Sequence, residues 1–154
     1  MDNLRAIQRL LDDSSDPDNP RPEAISDLFE RIRTIAVIGM SRDPAKAARR
    51  VPAYLATRGY EIIPVNPYGG RMLGRKVRAS LDEVEDPVDM VVIFRPTGEA
   101  GRFVTQAARR PERPVIWLQE GIRADDEVRA ARAGGLMVVQ DLCAFRVHRA
   151  LSGL

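Results

Sequence analysis

The chain has 154 residues, 44% of them hydrophobic, enough for one domain with a full core. Its 24 basic residues face 22 acidic ones, a formal charge of +2, which excludes a global bias toward nucleic acid or a membrane surface. One cysteine and one histidine exclude an internal disulfide and a structural zinc site, and with no apolar run of spanning length and an N-terminus too acidic for a signal peptide, a reducing cytoplasm is the expected compartment.

Along the chain, Leu4, Ile7, Leu10 and Leu11 recur at helical spacing within residues 1–13. Residues 14–22 form a proline-rich linker. A second short helix follows over residues 23–33, with its apolar stripe at Ile25, Leu28, Phe29 and Ile32. Residues 1–33 are therefore expected to be a helical extension packed on a main domain of residues 34–154.

From Thr34 onward strands alternate with helices. The first strand, Thr34 to Ile38, runs into Gly39-Met40-Ser41. The next helix falls within residues 45–58. Pro52 is tolerated only in a first turn, so the helix proper is expected to begin near Arg50, and Gly59 is its C-terminal stop. Strand character returns at residues 61–65, in a piece broken by Gly74 at residues 72–77, and at residues 88–94, 114–118 and 136–139. Between them lie one helical turn at residues 81–84 and helices at residues 98–110 and 125–133; a last helix spans residues 142–151. Continuous apolar runs in alternating strands predict an α/β fold, a doubly wound, mostly parallel sheet of five or six strands covered by helices on both faces. Such sheets bind ligands outside the carboxyl ends of their strands.

Those carboxyl ends supply the candidate site. Gly39 permits close backbone approach to a phosphate, Ser41 offers a hydroxyl, and Met40 is an apolar wall; the competing reading is a plain tight turn. Arg42, Lys46, Arg49 and Arg50 follow, cations for a diphosphate and a further phosphate, or a solvated helix face. Val65-Asn66-Pro67 ends the second strand where an NAD enzyme would place an acid for the ribose. Asn66 could bond a ribose or adenine, or build an Asx turn. Phe94-Arg95-Pro96 offers an aromatic face and a phosphate-binding guanidinium; the competing reading puts Phe94 in the core and Arg95 on the surface. Trp117 is assigned to the core, and Gln119 and Gly121, at the exit of its strand, to the site. Catalytic groups are few. His148 is read as a packing or surface residue, Asp141 as the cap of the last helix, and Cys143 as a weak candidate nucleophile. Glu120 is the one acid at the rim.

These motifs resemble a known family over residues 32–151. They are Ile35-Ala36-Val37-Ile38-Gly39-Met40-Ser41, Arg58-Gly59-Tyr60, Pro64-Val65-Asn66-Pro67, Leu73-Gly74, Val88-Asp89-Met90-Val91-Val92, Phe94-Arg95-Pro96, Trp117-Leu118-Gln119-Glu120-Gly121 and Val138-Val139-Gln140-Asp141-Leu142-Cys143. The chain is similar to the small single-domain CoA-binding proteins. Their Rossmann-like domain is shared with the succinyl-CoA synthetase alpha subunit and with ADP-forming acyl-CoA synthetases. The resemblance implies coenzyme A or acyl-CoA at the strand ends, its nucleotide part on Gly39, Ser41, Lys46, Asn66, Pro67 and Arg95, and its pantetheine running past the loop after Trp117. Two departures stand out: Ala47-Ala48 replace a common Pro-Ser, and Ala144-Phe145-Arg146 replace a common Lys or Glu. The synthetases act through a phosphorylated histidine in a further domain, so the resemblance implies binding and not ligation.

The leading expectation is a non-catalytic CoA-binding module with a small-molecule nucleotide ligand, acting as a monomer or homodimer without nucleic-acid or membrane partners. The alternatives are an NAD(P)-binding oxidoreductase-like protein or acyl-CoA-handling enzyme, and an interaction protein with an empty turn.

Overall fold

The computed structural model describes residues 2–153. Helices α1 (Asp2–Asp13) and α2 (Pro22–Arg31) precede β1 (Thr34–Ile38), α3 (Ala47–Thr57), β2 (Glu61–Val65), the short strands β3 (Arg71–Met72) and β4 (Arg75–Lys76), and a 3-10 turn at Leu81–Glu83. There follow β5 (Met90–Ile93), α4 (Thr97–Ala108), β6 (Val115–Leu118), α5 (Asp125–Ala133), β7 (Val138–Val139) and α6 (Ala144–Ser152). Among the described residues no helix is long and apolar enough to cross a membrane.

Five parallel strands make the main sheet in the order β2-β1-β5-β6-β7. The chain leaves β1 outward to β2 and later returns to the other side of β1 with β5. The strand order therefore reverses between β1 and β5, the place where doubly wound sheets form a ligand crevice. Alternation along the strands divides the core in two. Ile35, Val37, Met90, Val92 and Trp117 face α1, α2, α3 and α6, while Ala36, Ile38, Val91, Ile93 and Leu118 face α4 and α5. Both sets are almost fully buried, as a sheet covered on both faces requires.

The N-terminal helices belong to the first of these cores. Ile7, Ile25 and Leu28 are 0% exposed, and the Phe29 ring meets the Trp117 ring edge-on with centroids 5.5 Å apart. The linker between the two helices is tied down by charge and hydrogen bonds. Asp16 is buried and accepts from Arg132 at 3.1 Å and from Gln140 Nε2 at 2.9 Å, while Asn19 Oδ1 takes the backbone N–H of Gln140.

Three expectations need correction. Helix α3 begins at Ala47, and Pro52 lies inside it. A proline there leaves the Ala48 carbonyl without its helical donor, and the Ser41 N–H occupies it at 3.2 Å. The piece around Gly74 is not a broken strand of the main sheet but an antiparallel hairpin of its own. Its two-residue loop, Leu73-Gly74, has both φ values positive (51° and 73°), the geometry that matches strand twist across a tight hairpin. Finally, Asp141 does not cap α6. It stands at φ 53° outside the helix, whose N-cap position is Cys143. The first N–H of α6, at Ala144, is satisfied from another strand end by Gln119 Oε1 at 2.8 Å.

Candidate functional site

The turn after β1 is built from backbone bonds that fix it without a ligand. Gly39 has φ +81°, and a Cβ there would lie 2.9 Å from Arg95 Cδ and 3.0 Å from the Phe94 carbonyl oxygen. Its N–H donates to Val65 O at 3.0 Å. The Ser41 N–H is taken by Ala48, and its hydroxyl accepts from the Asp43 N–H at 3.0 Å. Glycine at position 39 is thus demanded by left-handed backbone and by the close passage of the β5 exit. Among the described residues, the N–H groups of Met40, Arg42, Ala47 and Ala48 have no acceptor. The last two are the orphan donors of a helix start, where an anion is favoured.

Asn66 links the ends of β1 and β2. Its Nδ2 donates to Met40 O at 2.9 Å and its Oδ1 accepts from the Tyr68 N–H at 2.8 Å, so the Asx turn and the bridge to the β1 turn use both ends of the amide. Arg42 reaches the Gly69 carbonyl from the opposite loop. These contacts shape a cleft of about 530 Å³ at the switch point, between the β2 exit loop, the segment around Ala79 and Ser80, and α4.

Of the residues singled out in the sequence, Gly39, Val65, Asn66, Pro67 and Arg95 line this cleft. Arg95 is paired with Glu99 at 2.8 Å. Ser41, Lys46, Arg49 and Arg50 lie beside it on the turn and the start of α3, with Lys46 at the N-cap position and Arg50 bonded to the Ala45 carbonyl. Phe94 is half-buried against the core on the α3 and α6 side, and Pro96 is the exposed N-cap residue of α4. Two assignments change character. The Met40 side chain is 0% exposed and belongs to the core, so only its backbone faces the turn. Gln119 is 3% exposed, and its side-chain oxygen is engaged by the start of α6.

Gly121 lies in a second, smaller cleft with Cys143, Asp141 and Arg146, at the exits of β6 and β7. The Asp141 carboxylate accepts the Gly121 N–H at 2.6 Å and the Ser15 N–H at 2.7 Å. Burial alone would raise its pKa, but these donors and Arg123 hold it below the ordinary carboxylate value. Glu120 is paired with Arg146 at 3.2 Å.

Sequence reasoning missed the α4 wall of the main cleft. Arg102, Phe103, Gln106 and Arg109 all line it, as do Tyr68 and Asp82. Helical spacing was the available signal: Arg102 and Gln106 lie four residues apart on a helix whose opposite face carries Ala100, Val104 and Ala107, and Arg109 follows three residues on at its C-cap. What the spacing did not contain was the neighbour facing that polar stripe.

Together the strand order and the cleft at the reversal define a Rossmann-like, doubly wound α/β domain with its concavity at the strand ends. Within that class the chain belongs to the CoA-binding domain family, whose model matches residues 33–149. Bacillus subtilis YneT, named as an uncharacterized protein, is 34% identical over 130 residues, covering 84% of this chain and 96% of YneT. The solved structure of Prb, described as a protein redesigned for binding, matches with a TM-score of 0.84 at 32% identity, over 90% of this chain and 97% of Prb. The ADP-forming acetate–CoA ligase II of Archaeoglobus fulgidus is 28% identical over 105 residues, which is 67% of this chain but 16% of the ligase.

Proposed function

We propose that this protein binds coenzyme A, or an acyl-CoA, at the strand-end rim and does not transform it. The observation that carries the reading is the cleft at the β1/β5 reversal, with Asn66 and Arg95 on its walls, in a chain of the CoA-binding domain family. The adenosine occupies the cleft. The diphosphate lies over the turn, served by the unpartnered N–H groups of Ala47 and Ala48 and by Lys46 and Arg49, rather than by the Gly39 and Ser41 N–H groups, which have backbone acceptors. The pantetheine runs toward the β6 exit. That exit is two strands from β1, about 10 Å at ordinary strand spacing, within reach of an extended arm.

Recognition without chemistry is supported by where the proton-transferring groups sit. His148 is buried against Tyr54, Tyr60 and Phe29, and Glu120 is in an ion pair on the rim. The protein works in this reading as a cytoplasmic monomer or homodimer.

The test is thermal melting with CoA, acetyl-CoA, NAD, NADP and ATP, because a ligand specific to the folded state raises the melting temperature by mass action. CoA is expected to stabilise most. Ala79→Trp, an exposed substitution on the cleft wall, is expected to remove the CoA shift and leave the unliganded melting temperature in place. Full CoA stabilisation of that variant would overturn the placement, and a larger response to NADP than to CoA would overturn the ligand.

A further inference from the structure

We propose that α4 forms the subsite for the ribose 3′-phosphate, with Arg102 and Arg109 as its two cations and Gln106 as a hydrogen-bond donor between them. This rests on the CoA reading above and adds to it how CoA is told from its dephosphorylated form.

The cleft has two chemically different walls. The β2 exit loop presents Val65, Pro67 and the ring of Tyr68, which at 87% exposed is an uncovered aromatic plane. An adenine base gains from such a plane by stacking. The α4 wall presents Arg102 and Gln106 one turn apart on one helix face, continued by Arg109 at the C-cap position. Among the described residues, neither guanidinium has a hydrogen-bond or ion-pair partner. Their neighbours on the same helix and loop are different: Arg95 is held by Glu99 at 2.8 Å and Arg110 by Glu112 at 2.7 Å. Arg102 also lies 4.7 Å from the centroid of the Phe103 ring, a contact that restricts where its guanidinium points.

Two like charges on one concave wall repel unless an anion lies between them. A phosphate monoester is close to a dianion at neutral pH and matches two guanidinium groups. A base with a phosphate monoester on its ribose therefore suits both walls at once. The α3 cations are the competing candidates. Lys46, Arg49 and Arg50 do not line the cleft, and Arg50 is already bonded to the Ala45 carbonyl. They are placed for the diphosphate at the start of α3.

Calorimetric titration of the full chain with CoA and with 3′-dephospho-CoA tests this, using the wild type, Arg102→Ala/Arg109→Ala and Lys46→Ala/Arg49→Ala. The wild type is expected to prefer CoA by about tenfold or more, the scale of charge-assisted bonds to one phosphate. The α4 pair should erase that preference and hold dephospho-CoA within about twofold of the wild-type affinity. The α3 pair should weaken both ligands together and keep their ratio. A preference retained in the α4 pair, a preference lost only in the α3 pair, or equal wild-type affinities would each overturn the subsite while leaving CoA binding intact. No wild-type binding of either ligand would overturn the CoA reading and the subsite with it. Melting curves check the fold, and Arg102→Gln/Arg109→Gln replaces the alanine pair if that pair unfolds.

Discussion

Ser41 donates its backbone N–H to the carbonyl of Ala48, the one carbonyl of α3 that Pro52 leaves without a helical donor. The proline therefore does more than interrupt a ladder. It opens an acceptor in the first turn of the helix, and the loop after β1 folds back to fill it. Pro52→Ala supplies a competing donor from within the helix. The Ser41 amide is then expected to exchange with solvent at least about tenfold faster, since its protection follows the local opening equilibrium. Unchanged protection at Ser41 would show that the remaining loop contacts hold the turn alone.

Gly39→Val is expected to destabilise the fold by about 2–4 kcal/mol, from left-handed strain at a β-branched residue and overpacking. The causes are the φ of +81° and the Phe94 carbonyl oxygen, which would stand 3.0 Å from the valine Cβ. Chemical denaturation without ligand reads this directly. A variant of wild-type stability would show that the β5 exit gives way to the added side chain.

The sequence assigns Gln119 to the ligand site, and the structure gives it to α6. Gln119→Leu removes the acceptor for a buried N–H at Ala144, at a cost of about 1–3 kcal/mol. For a chain of this length that lowers the melting temperature by roughly 2–10 °C. The loss is expected to be the same with and without CoA. A variant as stable as the wild type but weaker for CoA would return Gln119 to the site.

Asp16 and His148 set opposite ends of one pH profile's lower limb. Burial raises the Asp16 pKa, but the Gln140 amide, the Asp18 N–H and Arg132 outweigh it and hold the value below the ordinary carboxylate one. Its contribution is complete above about pH 4, where the unfolded group is ionised, and is lost as the pH falls through the lower folded value. Asp16→Asn should flatten the acid limb of the stability profile.

For His148, burial first and the charge of Arg58 second lower the pKa. The folded state thus prefers the neutral ring, which is hydrogen-bonded to the Tyr54 hydroxyl at 2.8 Å. Stability is full above the unfolded value of about 6.5 and declines as the pH falls below it. Denaturation at pH 7.5 and 5.5 should show a loss in the wild type that His148→Phe lacks. An equal loss in both would assign the effect to other groups.

Much of the fold was legible because its signals are local. Apolar runs such as Thr34–Ile38 and Val115–Leu118, alternating with amphipathic helices, admit few arrangements other than a doubly wound parallel sheet. The Gly39 turn and the Asn66 turn were likewise readable, since φ, burial and side-chain length at those positions depend on near neighbours. Family membership followed from motifs in a fixed order, and those motifs are short contiguous pieces of strand end.

Tertiary structure alone decided which polar groups were already spoken for. Ser41 and Ala48, Asn66 and Met40, Gln119 and Ala144 are partners brought together by chain crossings, and nothing in the residue types says that a serine N–H or a buried glutamine is unavailable. The same holds for the arginines. Arg102 and Arg109 lie seven residues apart with no local motif to single them out, whereas Lys46 and Arg49 fall near a phosphate-binding turn. Only the packing of α4 against the sheet put the first pair on the wall of the cleft and left the second beside it. A cation's role depends on what lies within a few ångströms of its charge, and that distance is set by the fold, not by position along the chain.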